Sequence, residues 1–280
     1  MSTDNILLLG AIAGATIFLG LPVGRVRGLS PATRAGLSAL ATGILVFLLW
    51  DVLSNAVEPL DTALHAHDWG RFSWLAALGI VGFTVGLMSL VHYAEWMKRR
   101  AGRRATTLVG PGAAALDAYT HRTWLDTLTP GKQLALLIAI GIGAHNFGEG
   151  LAIGQAAASN EISLAVTLII GFGLHNATEG FGICGPITAE GTRPSWGFLA
   201  AMGVIGGGPT FLGTVLGQAW SSEAVSVVFF TVAAGSILYV VQELFAVNRR
   251  FEHPTLVAWL MLAGILLGFA TDFIVTAAGV

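Results

Sequence analysis

Charge is scarce in this chain. Asp, Glu, Lys and Arg make up 11% of its 280 residues, where a soluble domain carries roughly 25%. With 54% hydrophobic residues and a mean hydropathy of +0.74, that scarcity excludes a water-soluble globular protein and predicts an all-α integral membrane protein. Cysteine is nearly missing: Cys184 stands alone, which excludes an internal disulfide framework and a thiolate-rich zinc site. No glycine-rich nucleotide loop is present, so any ATP-driven activity would need another subunit. No ten-residue dyad alternation is visible, which argues against a membrane β-barrel. The net charge of −2 says little about partners, and no nucleic-acid partner is expected. Near the N-terminus Asp4 stands where a signal peptide would have basic residues. The first apolar segment is therefore expected to be a retained helix.

Apolar runs and glycine are what the chain does have. A hydrocarbon core about 30 Å thick takes ~20 apolar residues per helix. Eight segments meet that length: 6–24, 36–57, 72–95, 132–157, 162–187, 197–218, 224–247 and 255–278. The 37 glycines suit helices that pack closely in lipid. If both termini lie outside, 13 of the 14 basic residues fall on the inner side, and Arg71 is the exception. That bias predicts an N-out, C-out, multi-pass protein of the cell (inner) membrane, surrounded by membrane lipids. The whole of 1–280 reads as one transmembrane transport domain with a cytoplasmic loop at about 96–131, carrying a short helix near Ala113–Thr120. The Val57–Gly70 segment, with Glu58, Asp61, His65, His67 and Asp68, reads as a solvated acidic outer loop. Trp50, Trp69, Trp74, Trp96, Trp196, Trp220 and Trp259 cluster near segment ends, as interfacial anchors do.

One decapeptide pattern, Gly-x-Gly-x-His-Asn-x-x-Glu-Gly, occurs twice, at Gly141–Gly150 and Gly171–Gly180. Ionisable groups at membrane depth are costly and mark functional sites. His at i and Glu at i+4 share one helix face, with Asn on its flank. The fourth and fifth segments should form an antiparallel hairpin through Ala158–Glu161. His145 lies about 14 residues before that turn and His175 about 15 after it, so both imidazoles should stand about 20 Å from it, at one depth. Glu149 is then one turn outward of that level and Glu179 one turn inward. Imidazole with carboxylate suits first-row divalent ions: zinc foremost, with iron, manganese, cobalt or cadmium as alternatives. Two neutral His and two Glu carry −2, which balances one divalent ion. Sites of this kind on glycine-loosened helices belong to transporters.

These motifs, HNFGEG at 145–150 and HNATEG at 175–180, resemble those of the Zrt-/Irt-like (ZIP) family of divalent-metal transporters. Gly185-Pro186 and the run Gly235–Leu244, including Glu243, resemble the same family. The resemblance implies eight helices with both termini outside, a metal site between helices four and five, and His145, Asn146, Glu149, His175, Asn176 and Glu179 as its ligands. It also implies uptake toward the cytoplasm, an elevator-like motion and a homodimer. Three departures stand out. Gly148 and Thr178 replace the motif prolines, so a kink there must come from glycine. Gly208, before Pro209, stands where many relatives carry a metal-binding Glu, which predicts one bound metal and not two. The 96–131 loop holds only His121, where many relatives are His-rich.

Secondary candidates for the ion's path are Asp51 in the outer half of the second segment, His92 and Glu95 at the inner end of the third, and Glu243 with Glu252 and His253 beyond it. Each has a plain alternative: an interhelical hydrogen bond for Asp51, an ordinary interface pair for His92 and Glu95, and a salt bridge to Arg249 or Arg250 for Glu243. Cys184 reads as a packing residue. The predicted function is secondary transport of divalent metal. The alternatives are a membrane-embedded metallohydrolase, for which the His-Glu-x-x-His motif is missing, and a di-iron bundle, whose Glu-x-x-His spacing differs.

Overall fold

The computed structural model describes residues 3–26, 28–107, 127–158, 176–177, 179–218 and 222–277. Among these residues it is all helix, and seven stretches are long and apolar enough to cross a bilayer. We label the helices α1 (Thr3–Ala15), α2 (Ile17–Gly20), α3 (Pro31–His65), α4 (Trp69–Thr107), α5 (Pro130–Ala158), α6 (residues 179–190), α7 (Trp196–Gly217), α8 (Glu223–Asn248) and α9 (Pro254–Ala277). Helix α6 covers the C-terminal part of the fifth predicted segment. The rest of that segment, including the Ala158–Glu161 turn, lies largely outside the described residues, as do Trp220 and the predicted helix at 113–120.

Local chemistry sets the ends. Ser30 accepts the Thr33 backbone N–H at 3.1 Å and Pro31 opens α3, a capping side chain followed by a residue with no N–H to lose. Ser195 caps α7 through the Phe198 N–H. The first segment is broken where a single helix is expected. Thr16 turns its hydroxyl onto the Ala13 carbonyl at 2.6 Å, and Pro22 sits in a 3-10 turn, Leu21–Arg25. The acidic stretch 57–65 is not a loop. Helix α3 continues through Pro59 to His65, and the chain reverses in a tight turn. There His67 takes φ 54°, and Asp68 accepts the Arg71 N–H at 3.0 Å. An asparagine-like αL position and a capping Asp are enough to turn the chain, so both flanking helices reach beyond the bilayer.

Glycine decides which helices pair. A Cβ at Gly143, Gly150 or Gly154 of α5 would run into the carbonyl of Ile205, Thr210 or Thr214 of α7, and one at Gly213 or Gly217 would strike Phe147 or Leu151 in return. The rising numbers on both sides make α5 and α7 parallel. Gly14 and Gly207 do the same between α1 and α7, and Gly20 and Gly180 between α2 and α6. Gly86 and Gly235 join α4 to α8, and Gly43 and Gly264 join α3 to α9. Two groups result: α1, α2, α5, α6 and α7 on one side, and α3, α4, α8 and α9 on the other. Only 22% of the apolar windows of α4 and α9 is buried, against 72% for α5, so α5 is central and α4 and α9 face outward. Trp50, Trp69, Trp74, Trp96, Trp196 and Trp259 are all exposed.

Candidate metal-transport site

His145, Asn146 and Glu149 share one turn of α5, beneath Ile142 and above Ile153, which are fully buried. Glu179, on α6, stands opposite them. None of the four polar residues is more than 4% exposed. Contacts between Gly131 and Pro186 at one end and between Asn146 and Glu179 further along make α5 and α6 antiparallel, as the spacing of the doublet predicts.

The i, i+4 spacing brings His145 Nε2 to 3.1 Å from Glu149 Oε1. Glu179 Oε1 approaches the same nitrogen at 3.8 Å. Asn146 Nδ2 donates to Glu179 Oε2 at 3.0 Å and to the Gly206 carbonyl at 3.1 Å. This amide therefore fixes the second copy's carboxylate against the first copy and against α7. Asn146 Oδ1 and Glu149 Oε2 are buried with no partner among the described residues. Two ligands at about 2.0–2.1 Å from zinc and a tetrahedral angle apart stand about 3.3 Å from each other, and the two His–Glu separations bracket that value. Even so, no three His, Cys, Asp or Glu side chains among the described residues close into a complete metal cage. What the described residues provide is a buried group of nitrogen and oxygen donors.

The second copy is divided. Glu179 joins the cluster. Asn176 is buried on the α1 side, where its Nδ2 donates to the Ala13 carbonyl at 2.9 Å, beside the break at Thr16. Its Oδ1 has no partner among the described residues. His175 and Thr178 lie outside the described residues. Helix α5 runs through Gly148 without interruption. A side chain there would meet the Phe230 ring of α8 at 2.8 Å, so glycine serves close packing at this position. Gly208 is half-buried, and a side chain at 208 would have only Val204 within 4 Å.

Among the path candidates, only Asp51 is near the cluster. It lies on α3 close enough to His145, Glu149 and Glu179 for its charge to act on each of them, and close to Asp272 of α9. His92 is exposed, with Nδ1 2.6 Å from the Met88 carbonyl of its own helix, and Glu95 pairs with Arg99 at 3.2 Å. Neither is brought to the site. Glu243 lies on the same helix as Tyr239, close enough for its charge to act on the phenol. Among the described residues it makes no ion pair with Arg249 or Arg250. Cys184 is buried and donates to the Leu21 carbonyl at 3.2 Å, the packing role expected of it. Three participants are invisible to motif reading: the Gly206 carbonyl, the Ala13 carbonyl and Asp272. Only the last had a clear signal, as the sole ionisable residue of the eighth apolar segment.

A multi-pass helical protein with imidazole, amide and carboxylate donors buried together between two transmembrane helices belongs by class to the ion carriers. The description "ZIP Zinc transporter" fits residues 117–276, more than half of the chain. Three curated relatives, each a "Zinc transporter ZupT", come from Escherichia coli O1:K1 / APEC, O9:H4 (strain HS) and strain K12 / DH10B. Each is 27% identical over 276 residues, covering 97% of this chain and 97% of the relative. The chain belongs to the ZIP zinc transporter family. It is a membrane transporter of divalent metal and not an enzyme, which removes the metallohydrolase and di-iron alternatives.

Proposed function

We propose that the protein moves divalent transition-metal cations, zinc foremost, across the cell (inner) membrane toward the cytoplasm. The passage runs through the cluster His145, Asn146, Glu149 and Glu179, completed by His175, while Asn176 ties the second copy to α1. Iron, manganese, cobalt and cadmium are the alternative cargoes, since nitrogen and oxygen donors without thiolate accept all of them. The observation that carries this reading is the meeting of both motif copies: Glu179 of the second stands against His145 and Asn146 of the first. The name of the Escherichia coli relatives supports zinc.

One divalent ion travels at a time. Within the cluster itself, two carboxylates and neutral imidazoles carry −2, which balances one divalent ion where an uncompensated buried charge costs several kcal/mol; Asp51 and Asp272 add their charge beside it. Asp51 and Asp272, in the outer halves of α3 and α9, pass the ion inward; Glu243 on α8 receives it below. The termini lie outside and the 96–131 segment inside, the orientation that the basic residues favour. Inside each helix group several glycines stand against backbone carbonyls, whereas across the groups Gly148 meets Phe230, Gly182 meets Leu45 and Gly185 meets Ala41 through side chains. Such a seam suits one group sliding against the other, which is how the ion changes sides. A homodimer is the assembly.

Zinc entry into liposomes carrying the purified protein tests this reading. Protein-dependent loading, reduced by excess iron, manganese, cobalt or cadmium, is expected. Vesicles that load no divalent metal in either protein orientation would overturn it.

A further inference from the structure

Where α8 gives way to α9, a groove of about 460 Å³ opens on the surface, within the range of small-molecule sites, roughly 300–1,000 Å³. Its walls are apolar, formed by Phe245, Phe251, Val257, Met261, Leu262 and Ile265. Along α9 it runs from Pro254 to Ile265, which at 1.5 Å per residue is about 16 Å. That is close to half of a bilayer core about 30 Å thick, the depth of one leaflet.

One end of the groove is polar. Arg249 lines it, with Nε held to the Phe245 carbonyl at 3.3 Å. Arg250 follows, and both are exposed. Among the described residues neither arginine has a carboxylate within 4.0 Å. The other titratable groups of this turn are Glu252 and His253, both exposed, so the rim is net positive. Basic pockets between helices at the cytoplasmic face bind anionic lipid head groups.

We propose that this groove binds an anionic phospholipid of the cytoplasmic leaflet. Arg249 and Arg250 take the phosphate, and one acyl chain lies between α8 and α9. Asn248, at the head of the groove, is buried and ties α8 to α3: Ser38 donates to its Oδ1 at 2.7 Å and its Nδ2 donates to Thr42 at 2.8 Å. A lipid seated there presses on the joint of α3, α8 and α9 and stabilises it. The inference rests on the orientation proposed above, which puts this end inside, and not on the metal route.

The full-length protein in phosphatidylcholine nanodiscs, with and without phosphatidylglycerol, tests it. Lipid retention by native mass spectrometry and the thermal unfolding midpoint are the readouts. Phosphatidylglycerol should be retained in preference to phosphatidylcholine and should raise the midpoint. A basic residue near the surface contributes on the order of fivefold, so Arg249→Ala with Arg250→Ala should bind roughly 30-fold more weakly. Ala258→Trp, which fills the groove and keeps both arginines, should also lose the retained lipid. Equal retention by both variants and the parent would overturn the proposal. So would an equal rise in midpoint with inorganic phosphate alone. Dimerisation that Ala258→Trp abolishes while phosphatidylglycerol retention is unchanged would assign the groove to a second copy instead. Because the readout is lipid and not flux, failure of the metal reading would leave this result intact, and the reverse.

Discussion

Asn146 holds the two motif copies together. Its amide reaches Glu179 and the Gly206 carbonyl, so it joins α5, α6 and α7 at one point. Asn146→Leu keeps the bulk and removes both donors, leaving a carboxylate and a carbonyl buried without them. Unsatisfied buried groups cost about 1–3 kcal/mol each, and interhelical polar contacts in membranes average nearer ~0.6 kcal/mol. A loss of about 1–2 kcal/mol is therefore expected, read as a lower thermal midpoint in detergent, together with slower zinc flux. An unchanged midpoint would mean that the amide does not hold Glu179. At Gly208 an added Cβ would have only the Val204 side chain within 4 Å, so the position has room for a longer side chain. Gly208→Glu restores the carboxylate whose absence predicts a single ion, so it should raise the zinc stoichiometry in equilibrium dialysis above the one per chain expected of the parent, and two zinc ions bound per chain by the parent would contradict the one-ion account.

At the scale of helices, glycine spacing carries the fold. Gly143, Gly150 and Gly154 on α5 face α7, where Gly206, Gly213 and Gly217 repeat the same steps of seven and four. Gly150→Leu would drive a side chain into the Thr210 backbone, which cannot rotate away. Overpacking of this kind costs about 1–3 kcal/mol or more, so the variant should unfold at lower temperature and lose flux. Gly148→Ala meets only the Phe230 ring and should be milder, and comparing the two melting curves checks the assignment. Seven of the eight predicted segments coincide with apolar helices among the described residues, because twenty apolar residues have few alternatives to a helix in lipid; most of the other, 162–187, lies outside them. They could not show where helices outrun the bilayer. Residues 57–65 mix Glu58, Asp61, Thr62 and His65 with Val57, Leu60, Ala63 and Leu64, yet nothing in them breaks a helix already started, and Pro59 is accommodated. The break at Thr16 was equally hidden, since it depends on a hydroxyl choosing the Ala13 carbonyl and on Asn176 joining it. The His–Glu pairing within α5 was readable because i, i+4 geometry is local. The reach of Asn146 to Gly206 was not, because it depends on how α7 packs.

The whole molecule consists of two glycine-locked groups that meet through side chains, and transport by sliding requires that this seam move. A Cβ at Gly185 would stand 3.1 Å from that of Ala41 across it, near the 3.5–4.5 Å of a disulfide. In a Cys184→Ala background, the pair Ala41→Cys and Gly185→Cys should stop flux when oxidised and restore it on reduction. Transport by the fully cross-linked protein would exclude relative motion at this seam. The orientation is checked separately by proteolysis, which should cut within 96–131 only from the cytoplasmic side. The account stands or falls on the buried cluster as the place where the ion binds. The most direct measurement is zinc loading of proteoliposomes by the parent protein beside Glu149→Gln and Glu179→Gln, each first shown to keep the parent's monodispersity and thermal midpoint. A fall in loading of at least ~10-fold in both variants is predicted, in keeping with the 10–100-fold that changes around metal ligands produce. Loading at the parent's rate in either folded variant would contradict it.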